Sequence, residues 1–452
     1  MKDQNFRILY LPIGVGTYHM ETAHAAFEAS RELLLKLFGE EVTVPEDILF
    51  SPQAVKQQLS SADPDLVILQ SITFANAAYM AEALRAYEGP LALWTLREPV
   101  GEPGGRLKLN SLTGTFSAAN TYHQIRQDAP LLVFGGTDEP ETAETLLRIR
   151  RAAMVKKALR ALKIAQIGHT PEGFGFGRGL DAELQKTFGA ALVSIEAREL
   201  IKKAEALKDE DVASARDEAA SWMKGLDQMP AQNVKDYYRL QKAYQDFAEE
   251  NHIGALSSRC WPDFFVEYGT PVCSVLSVLN AIGIPSACEA DTYGALSMWI
   301  GQKLSGEAAF FGDPVALSEE ENTLTFWHCG MAACSLAKEE EGACVGVHPN
   351  RKIGPTMEFG TKACEKATIL RIGKDRNGAF RLLAISGEVL DKPRQFLGTS
   401  CVVRLNAPVR DTVANLLKEG WEPHYAVIFG DVAEEIRMLG DMLQLPVTAV
   451  TA

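Results

Sequence analysis

Short apolar runs alternate with longer amphipathic stretches through the first third of this 452-residue chain. The apolar runs are 6–11, 64–70, 90–94 and 131–136, and the amphipathic stretches include 19–38 and 75–87. Strands that alternate with helices in this way form parallel sheets with helices on both faces. The loops after the carboxyl ends of such strands commonly carry the function. We therefore predict a doubly wound α/β domain over residues 1–162.

A second α/β domain is predicted over residues 163–303, where the same alternation resumes. From residue 304 onward short alternating strands dominate, and Gly, Asn and Asp stand between them. That pattern is typical of a hairpin-rich antiparallel sheet. The predicted fold class is therefore α/β: two doubly wound α/β domains followed by a C-terminal antiparallel β-barrel-like domain over 304–452.

Composition and charge exclude several classes of protein. Hydrophobic residues make up 46% and charged residues 23% of the chain, which indicates a globular protein. The net charge of −14 repels phosphate backbones and anionic lipids, so we expect no nucleic-acid partner and no membrane partner. No apolar run has the length of a spanning helix, and the first ten residues lack the pattern of a secretory leader. The eight cysteines form no CxxC pair, which favours a cytoplasmic location and mostly buried thiols.

Three polar residues stand out because each lies next to an apolar strand: Glu289, Asp313 and His424. A lone carboxylate in such a partly desolvated place is costly, and a divalent cation offsets that cost. Two carboxylates and one imidazole suit Mn²⁺, Mg²⁺ or Fe²⁺. Taken singly, however, strand-end acids more commonly cap turns or helices, and His424 also fits a core histidine. The residues alone leave both interpretations open.

Several short segments of the sequence resemble a known family and favour the metal-site interpretation. The segments 288–291 (CEAD), 311–314 (FGDP) and 327–330 (WHCG) occur in this order, and a histidine follows near the end. Together with 111–120 they resemble the L-fucose isomerase family, to which the L-arabinose isomerases also belong. In that family a Glu and an Asp about two dozen residues apart bind Mn²⁺ together with a C-terminal His. The resemblance therefore implies that Glu289, Asp313 and His424 bind Mn²⁺, with Mg²⁺, Co²⁺ or Fe²⁺ as alternative metals.

The family's reaction is the interconversion of an aldose and its ketose, in which a proton moves between C1 and C2 through a cis-enediol. By resemblance, Glu289 and Asp313 are also the catalytic acid and base. Some short members act on sulfoquinovose, a glucose with a C6 sulfonate, and this chain is short. We favour that substrate over a neutral aldose such as L-fucose or L-arabinose. The alternatives are a non-catalytic sugar-binding protein or sensor, and another metal-dependent lyase or hydrolase with the same ligands.

Candidate substrate-binding residues are aromatic or basic side chains near predicted strand ends. Aromatic faces and a few polar groups recognise sugars, and arginines suit a fixed anionic group. The candidates are His328, Trp94, Trp261, Trp327, Arg97 and Arg259. For each of them, core packing or a surface ion pair is the alternative role. The resemblance also implies a homo-oligomer in which a neighbouring subunit completes the sugar pocket.

Overall fold

The computed structural model describes residues 6–101 and 103–451 of the chain. The chain divides into two compact units: residues 1–157 with 438–445, and residues 158–437 with 446–452. The division into three domains over 1–162, 163–303 and 304–452 stays a prediction. Residues 1–5, on which the expected absence of a leader depends, lie outside the described part.

The first unit is built on a parallel sheet of five strands, as the alternation predicts. The strands are β1 (Ile8–Ile13), β2 (Val42–Thr43), β3 (Leu66–Ser71), β4 (Leu91–Thr95) and β5 (Leu131–Phe134). Their order is β2-β1-β3-β4-β5, and every pairing is parallel. Strands β1, β3 and β4 are buried along their whole length, which is why they read as continuous apolar runs.

Helices follow the strands of this sheet. They are α1 (Met20–Phe38), α2 (Pro52–Ser60), α3 (Ala77–Ala86), α4 (Ser111–Ile125) and α5 (Pro140–Leu159). Their starts follow local rules: the Ser51 hydroxyl accepts a hydrogen bond from the Ala54 N–H at 3.2 Å, and Pro52 occupies the first turn of α2.

The second unit opens with another α/β arrangement. Its first strands are β6 (Lys163–Ile167), β7 (Ala191–Ile195), β8 (Met223–Lys224), β9 (Ala255–Ser258) and β10 (Ser286–Cys288). Four of them form a parallel sheet in the order β10-β9-β6-β7. The helices are α6 (Asp181–Phe188), α7 (Ala197–Ala206), α8 (Ala213–Trp222), α9 (Ala231–Asn251), α10 (Cys273–Ala281) and α11 (Thr292–Ser305).

A large, mainly antiparallel sheet follows in the same unit. The remaining strands are β11 (Phe310–Ser318), β12 (Thr323–His328), β13 (Ala343–Gly346), β14 (Thr356–Met357), β15 (Phe359–Gly360), β16 (Cys364–Lys374), β17 (Phe380–Val389), β18 (Thr399–Leu405), β19 (Tyr425–Phe429) and β20 (Val447–Val450). The last helices along the chain are α12 (Val409–Glu419) and α13 (Ala433–Leu443), and α13 from residue 438 onward belongs to the first unit. Eight strands join in the order β15-β18-β12-β11-β19-β16-β17-β20, and β17 also pairs with β18. Strands β13, β14 and β8 form a small separate sheet. The predicted antiparallel sheet is thus confirmed, while its description as a barrel-like domain stays a prediction.

Two other expectations concern whole classes of residues. All eight cysteines are free thiols and six of them are buried, as predicted. Within residues 6–101 and 103–451, no helix combines the length and the apolar character needed to span a membrane.

Candidate active site

Polar side chains meet at the carboxyl edge of the second parallel sheet. Cys288 at the end of β10 pairs with Ser258 at the end of β9, and Ser258 pairs with Ile167 at the end of β6. The next residues along β10 and β9 are Glu289 and Arg259. These two side chains therefore leave adjacent strands at the same edge, where ligands of open α/β sheets commonly bind.

The turn that carries Glu289 has an unusual backbone. Glu289 has a φ of 59° and Ala290 a φ of 54°, both in the left-handed region that residues other than glycine seldom occupy. The Ala290 N–H donates to the Ser258 carbonyl at 3.0 Å, and the Asp291 carboxylate caps helix α11 by accepting from the Gly294 N–H at 2.8 Å. Strained backbone of this kind concentrates at functional sites.

His424 lies between the two predicted catalytic carboxylates. Its Nε2 atom is 3.1 Å from the Glu289 Oε2 atom and 3.3 Å from the Asp313 Oδ1 atom. Asp313 comes near because β11 pairs with β19: Gly312 faces Tyr425 in the register. The three residues predicted to share a metal are thus brought together, although they come from different parts of the chain.

The hydrogen bond of Nδ1 decides the orientation of the His424 ring. Nδ1 lies 2.9 Å from the Asp291 Oδ2 atom, and an ionised carboxylate only accepts, so Nδ1 is the donor. In the neutral ring Nε2 then presents its lone pair to Glu289 and Asp313. Burial lowers the pKa of His424, but hydrogen bonds to Asp291 and Glu289 outweigh burial and raise the pKa to about 9. In the absence of a cation, a proton on Nε2 thus balances the two carboxylates.

Burial raises the pKa of the Asp313 carboxyl group, whereas it lowers the pKa of His424. It raises the pKa of Asp313 above the usual range, although the positive charges of His328 and His424 oppose this. Asp313 therefore holds a proton more readily than an exposed aspartate does.

A buried ion pair holds Asp291 in place. The Arg371 side chain is 0% exposed and its Nη1 atom lies 2.6 Å from the Asp291 Oδ2 atom, while Nη2 lies 3.3 Å from Oδ1. Burial raises the pKa of Asp291, but the charges of Arg371 and His424 outweigh burial and hold it well below the usual range. Sequence reasoning did not identify Arg371. Its signal was an arginine in the middle of the apolar strand β16.

His328 faces the same centre with a different tautomer. One of its ring nitrogens and the ligand atoms of Glu289 and His424 all lie within 4.8 Å of one another. Its Nδ1 atom accepts from the Cys329 N–H at 3.0 Å, so the proton of the neutral ring is on Nε2. This ring is suited to donate a hydrogen bond to a sugar oxygen, whereas His424 is suited to bind a metal. The Trp327 ring stacks on His328 with ring centres 6.3 Å apart.

Arg259, the candidate sulfonate contact, follows strand β9, which pairs with β10. The Arg259 side chain is 17% exposed, and its Nε atom is 2.8 Å from the Asp263 Oδ2 atom. Its Nη1 atom is 3.3 Å from the ring of His169. Trp261, two residues further on, carries the guanidinium of Arg351 over its ring at 5.2 Å.

Trp94 and Arg97, the two candidate substrate-binding residues of the first unit, make contacts within the chain. Trp94 is fully buried, and its indole N–H donates to the Gly135 carbonyl at 3.0 Å, so the ring packs in the core and presents no face to a sugar. Arg97 forms two hydrogen bonds to the carboxylate of Glu139, at 2.7 and 2.6 Å, and is 72% exposed. It is therefore part of a surface ion pair in the described chain.

A second group with metal-binding residue types does not fit a metal. The ligand atoms of Cys273, Cys329 and His348 lie within 4.8 Å of one another. The Nδ1 atom of His348 accepts from the N–H groups of Asn350 and Arg351, both at 3.2 Å. Nε2 therefore carries the proton and has no lone pair for an ion, so we assign these side chains to packing.

The chain is similar in sequence to several known proteins. No protein-family model matches the chain. A sulfoquinovose isomerase from Clostridium sp. (strain MSTE9) is 53% identical over 440 residues, which are 97% of this chain and 98% of the relative. Relatives of the same name from Alkalicoccus urumqiensis and Priestia megaterium are 39% and 38% identical, each over 98% of this chain and at least 98% of the relative.

One solved structure is a solute-binding protein of an ABC transporter from Agrobacterium vitis, bound to α-D-tagatopyranose. It is 15% identical and covers 67% of this chain and 90% of its own, but its TM-score of 0.16 is too low to carry an argument. The curated relatives decide the matter, because their identity extends over nearly the whole of both chains. The chain belongs to the sulfoquinovose isomerase family.

Proposed function

We propose that this chain is an aldose–ketose isomerase that converts sulfoquinovose into 6-deoxy-6-sulfofructose. The observation that carries the proposal is the convergence of Glu289 and Asp313 on one nitrogen of His424, at 3.1 and 3.3 Å. A proton transfer between two carbons needs a base and an acid at one place, and these carboxyl groups supply both. The names of the relatives support the substrate.

The donor set fits a divalent cation. Two carboxylate oxygens face a nitrogen whose ring is fixed by Asp291, and this mixed oxygen and nitrogen set suits Mn²⁺, with Mg²⁺, Co²⁺ or Fe²⁺ as alternatives. We propose Glu289, Asp313 and His424 as the ligands. When bound, the metal would act as a Lewis acid that polarises the sugar carbonyl.

We propose different roles in the proton transfer for Glu289 and Asp313. We assign Glu289 as the base that takes the proton from C2 of the aldose and returns it to C1. We assign Asp313, whose Oδ1 atom lies 3.3 Å from the same His424 nitrogen, as the acid that exchanges a proton with the sugar oxygens. We propose that the Nε2–H of His328 holds a sugar hydroxyl, and Trp327 stacks on the His328 ring.

Arg259 is the proposed sulfonate contact. It follows the strand next to the one that carries Glu289. In sulfoquinovose the sulfonate is on C6, four carbons from C2, so it must reach beyond the reacting carbons. We propose that Arg259 receives the sulfonate, because its planar guanidinium suits paired sulfonate oxygens.

Replacement of Glu289 by Gln tests the role of the base. The amide keeps the shape but cannot accept the proton, so we expect ketose formation to fall by at least about 100-fold. Formation of the ketose is followed by NMR, and thermal unfolding verifies the fold. The control is Glu319→Gln at a well-exposed carboxylate, which should leave turnover unchanged. Near-normal turnover of Glu289→Gln would refute the proposed base.

Metal removal tests the ligand set. Dialysis against a chelator should abolish turnover, and Mn²⁺ should restore it, because the reaction needs stabilisation of negative charge on oxygen. Asp313→Asn should bind less Mn²⁺ per chain than the unmodified protein when metal content is measured by mass spectrometry. Full turnover in a preparation shown to be free of metal would contradict this assignment.

Two matched arginine variants test recognition of the sulfonate. A hydrogen bond to a charged group contributes about 1.5–3 kcal/mol, so Arg259→Gln should lower kcat/KM for sulfoquinovose by about 10- to 150-fold. The same variant should alter kcat/KM for glucose or 6-deoxyglucose far less, since neither carries the anion. Arg97→Gln, which removes an exposed arginine paired with Glu139, serves as the control. If Arg97→Gln shows the selective loss and Arg259→Gln does not, the assignment of Arg259 is wrong.

An apolar surface on the first unit supports the proposed homo-oligomer. Leu112, Phe116 and Ile125 on α4 are 51%, 69% and 54% exposed. Leu132 and Phe134 on the edge strand β5 are 44% and 56% exposed. Exposed apolar side chains and an open sheet edge are each typical of an interface. We propose that another copy of the chain covers it and completes the sugar pocket, and we retain the cytoplasm as the expected location.

A charge in this surface should weaken assembly. Phe116→Glu places a carboxylate where we expect apolar contacts, so the mass in solution should fall towards that of one chain. The mass is measured by light scattering after size-exclusion chromatography. Leu417→Glu is the control, because Leu417 is 76% exposed on α12 in the second unit. An unchanged mass for Phe116→Glu, or a single-chain mass for the unmodified protein, would contradict the proposed interface.

A further inference from the structure

We propose that Phe174 and Phe176 form an apolar wall that keeps water away from the proton in transit between C2 and C1. The inference rests on the proposed isomerase activity and deepens it, because it concerns the fate of the transferred proton. The two rings belong to a glycine-rich loop after strand β6, at the same sheet edge as Glu289.

The rings lie directly against His424. The centre of the Phe176 ring is 5.2 Å from that of His424, with the planes at 77°, and the Phe174 ring is 6.0 Å from it. The two phenyl rings are 5.7 Å apart. The side chains thus form a continuous apolar surface beside the imidazole on which Glu289 and Asp313 converge.

The loop is held in this position by the buried ion pair behind it. A side chain at Gly177 would place its Cβ 2.8 Å from the Asp291 Cα atom, so only glycine allows the approach. The Arg371 guanidinium lies over the Phe176 ring at 5.8 Å. The wall and His424 are therefore positioned by the same pair of residues.

The two rings cover His424, whereas the two carboxylates keep partial contact with solvent. The Glu289 and Asp313 side chains are 17% and 33% exposed, so water reaches this side of the site, while His424 is 1% exposed. Both phenylalanines are half-buried. A carboxyl group that has just taken a proton from carbon exchanges it rapidly with any water in contact. Retention of that proton until it reaches C1 requires that water be excluded, which apolar rings can do.

The test measures the fate of the proton rather than the rate. Sulfoquinovose carrying deuterium at C2 is converted in ordinary water, and deuterium at C1 of the ketose is measured by NMR at low conversion. The unmodified enzyme should retain a measurable share of the label. Phe174→Ala and Phe176→Ala should each lower that share at least twofold while turnover continues. Phe176→Leu, which keeps apolar bulk, should retain the label as the unmodified enzyme does.

Phe396→Ala is the control, because Phe396 is an exposed aromatic residue on the loop before β18 and should leave the label unchanged. Phe174→Ala and Phe176→Ala are both measured. If one of them fails to fold, the other still tests the proposal. Unchanged retention in the alanine variant that folds would overturn the proposal, and so would an unmodified enzyme that retains no label. An unmodified enzyme that forms no ketose would instead refute the isomerase activity itself, which keeps the two failures distinct.

Discussion

The buried carboxylate of Asp291 is the interaction on which the site depends. It accepts hydrogen bonds from Arg371, from Nδ1 of His424 and from the Gly294 N–H that begins helix α11. An unpaired charge at this depth would cost several kcal/mol, and these partners offset that cost. Asp291 follows the parallel sheet, whereas Arg371 and His424 belong to β16 and to the residue before β19. One carboxylate thus joins the parallel sheet of the second unit to its large antiparallel sheet at the candidate site.

The Asp291 carboxylate also stabilises the strained turn at Glu289 and Ala290. Two consecutive residues with positive φ, Glu289 and Ala290, each cost of order 1–3 kcal/mol. The helix cap and the buried ion pair fix Asp291 directly after them, and the Ala290 N–H is bound to Ser258. The turn is therefore constrained from both ends. Its conformation directs the Glu289 side chain towards His424 instead of along the strand.

Sequence periodicity predicted the parallel and antiparallel sheets because burial on both faces gives continuous apolar runs and half-burial gives alternation. The meeting of Asp313 with His424 depends on the pairing of β11 with β19, which no local pattern reports, and only a family resemblance pointed to it. Arg371 was missed because its role depends on an ion pair with Asp291, which is 80 positions away in the sequence. Trp94 was a candidate for a sugar contact with core packing as its alternative role, and it lies in the core. A position at a strand end does not by itself determine which face of the sheet a side chain occupies.

Under the proposed function, selectivity for a sulfonated sugar depends on Arg259, which follows the strand adjacent to the one that precedes Glu289. Adjacent parallel strands lie about 4.8 Å apart, so the two side chains start close together and diverge with the length of the arginine. In the proposed arrangement, a sugar with its C2 at Glu289 extends its C6 group towards Arg259. Without the anion, Asp263 balances the charge of Arg259 at 2.8 Å. A sulfonate must compete with this internal carboxylate, and a neutral C6 group has no charge with which to do so.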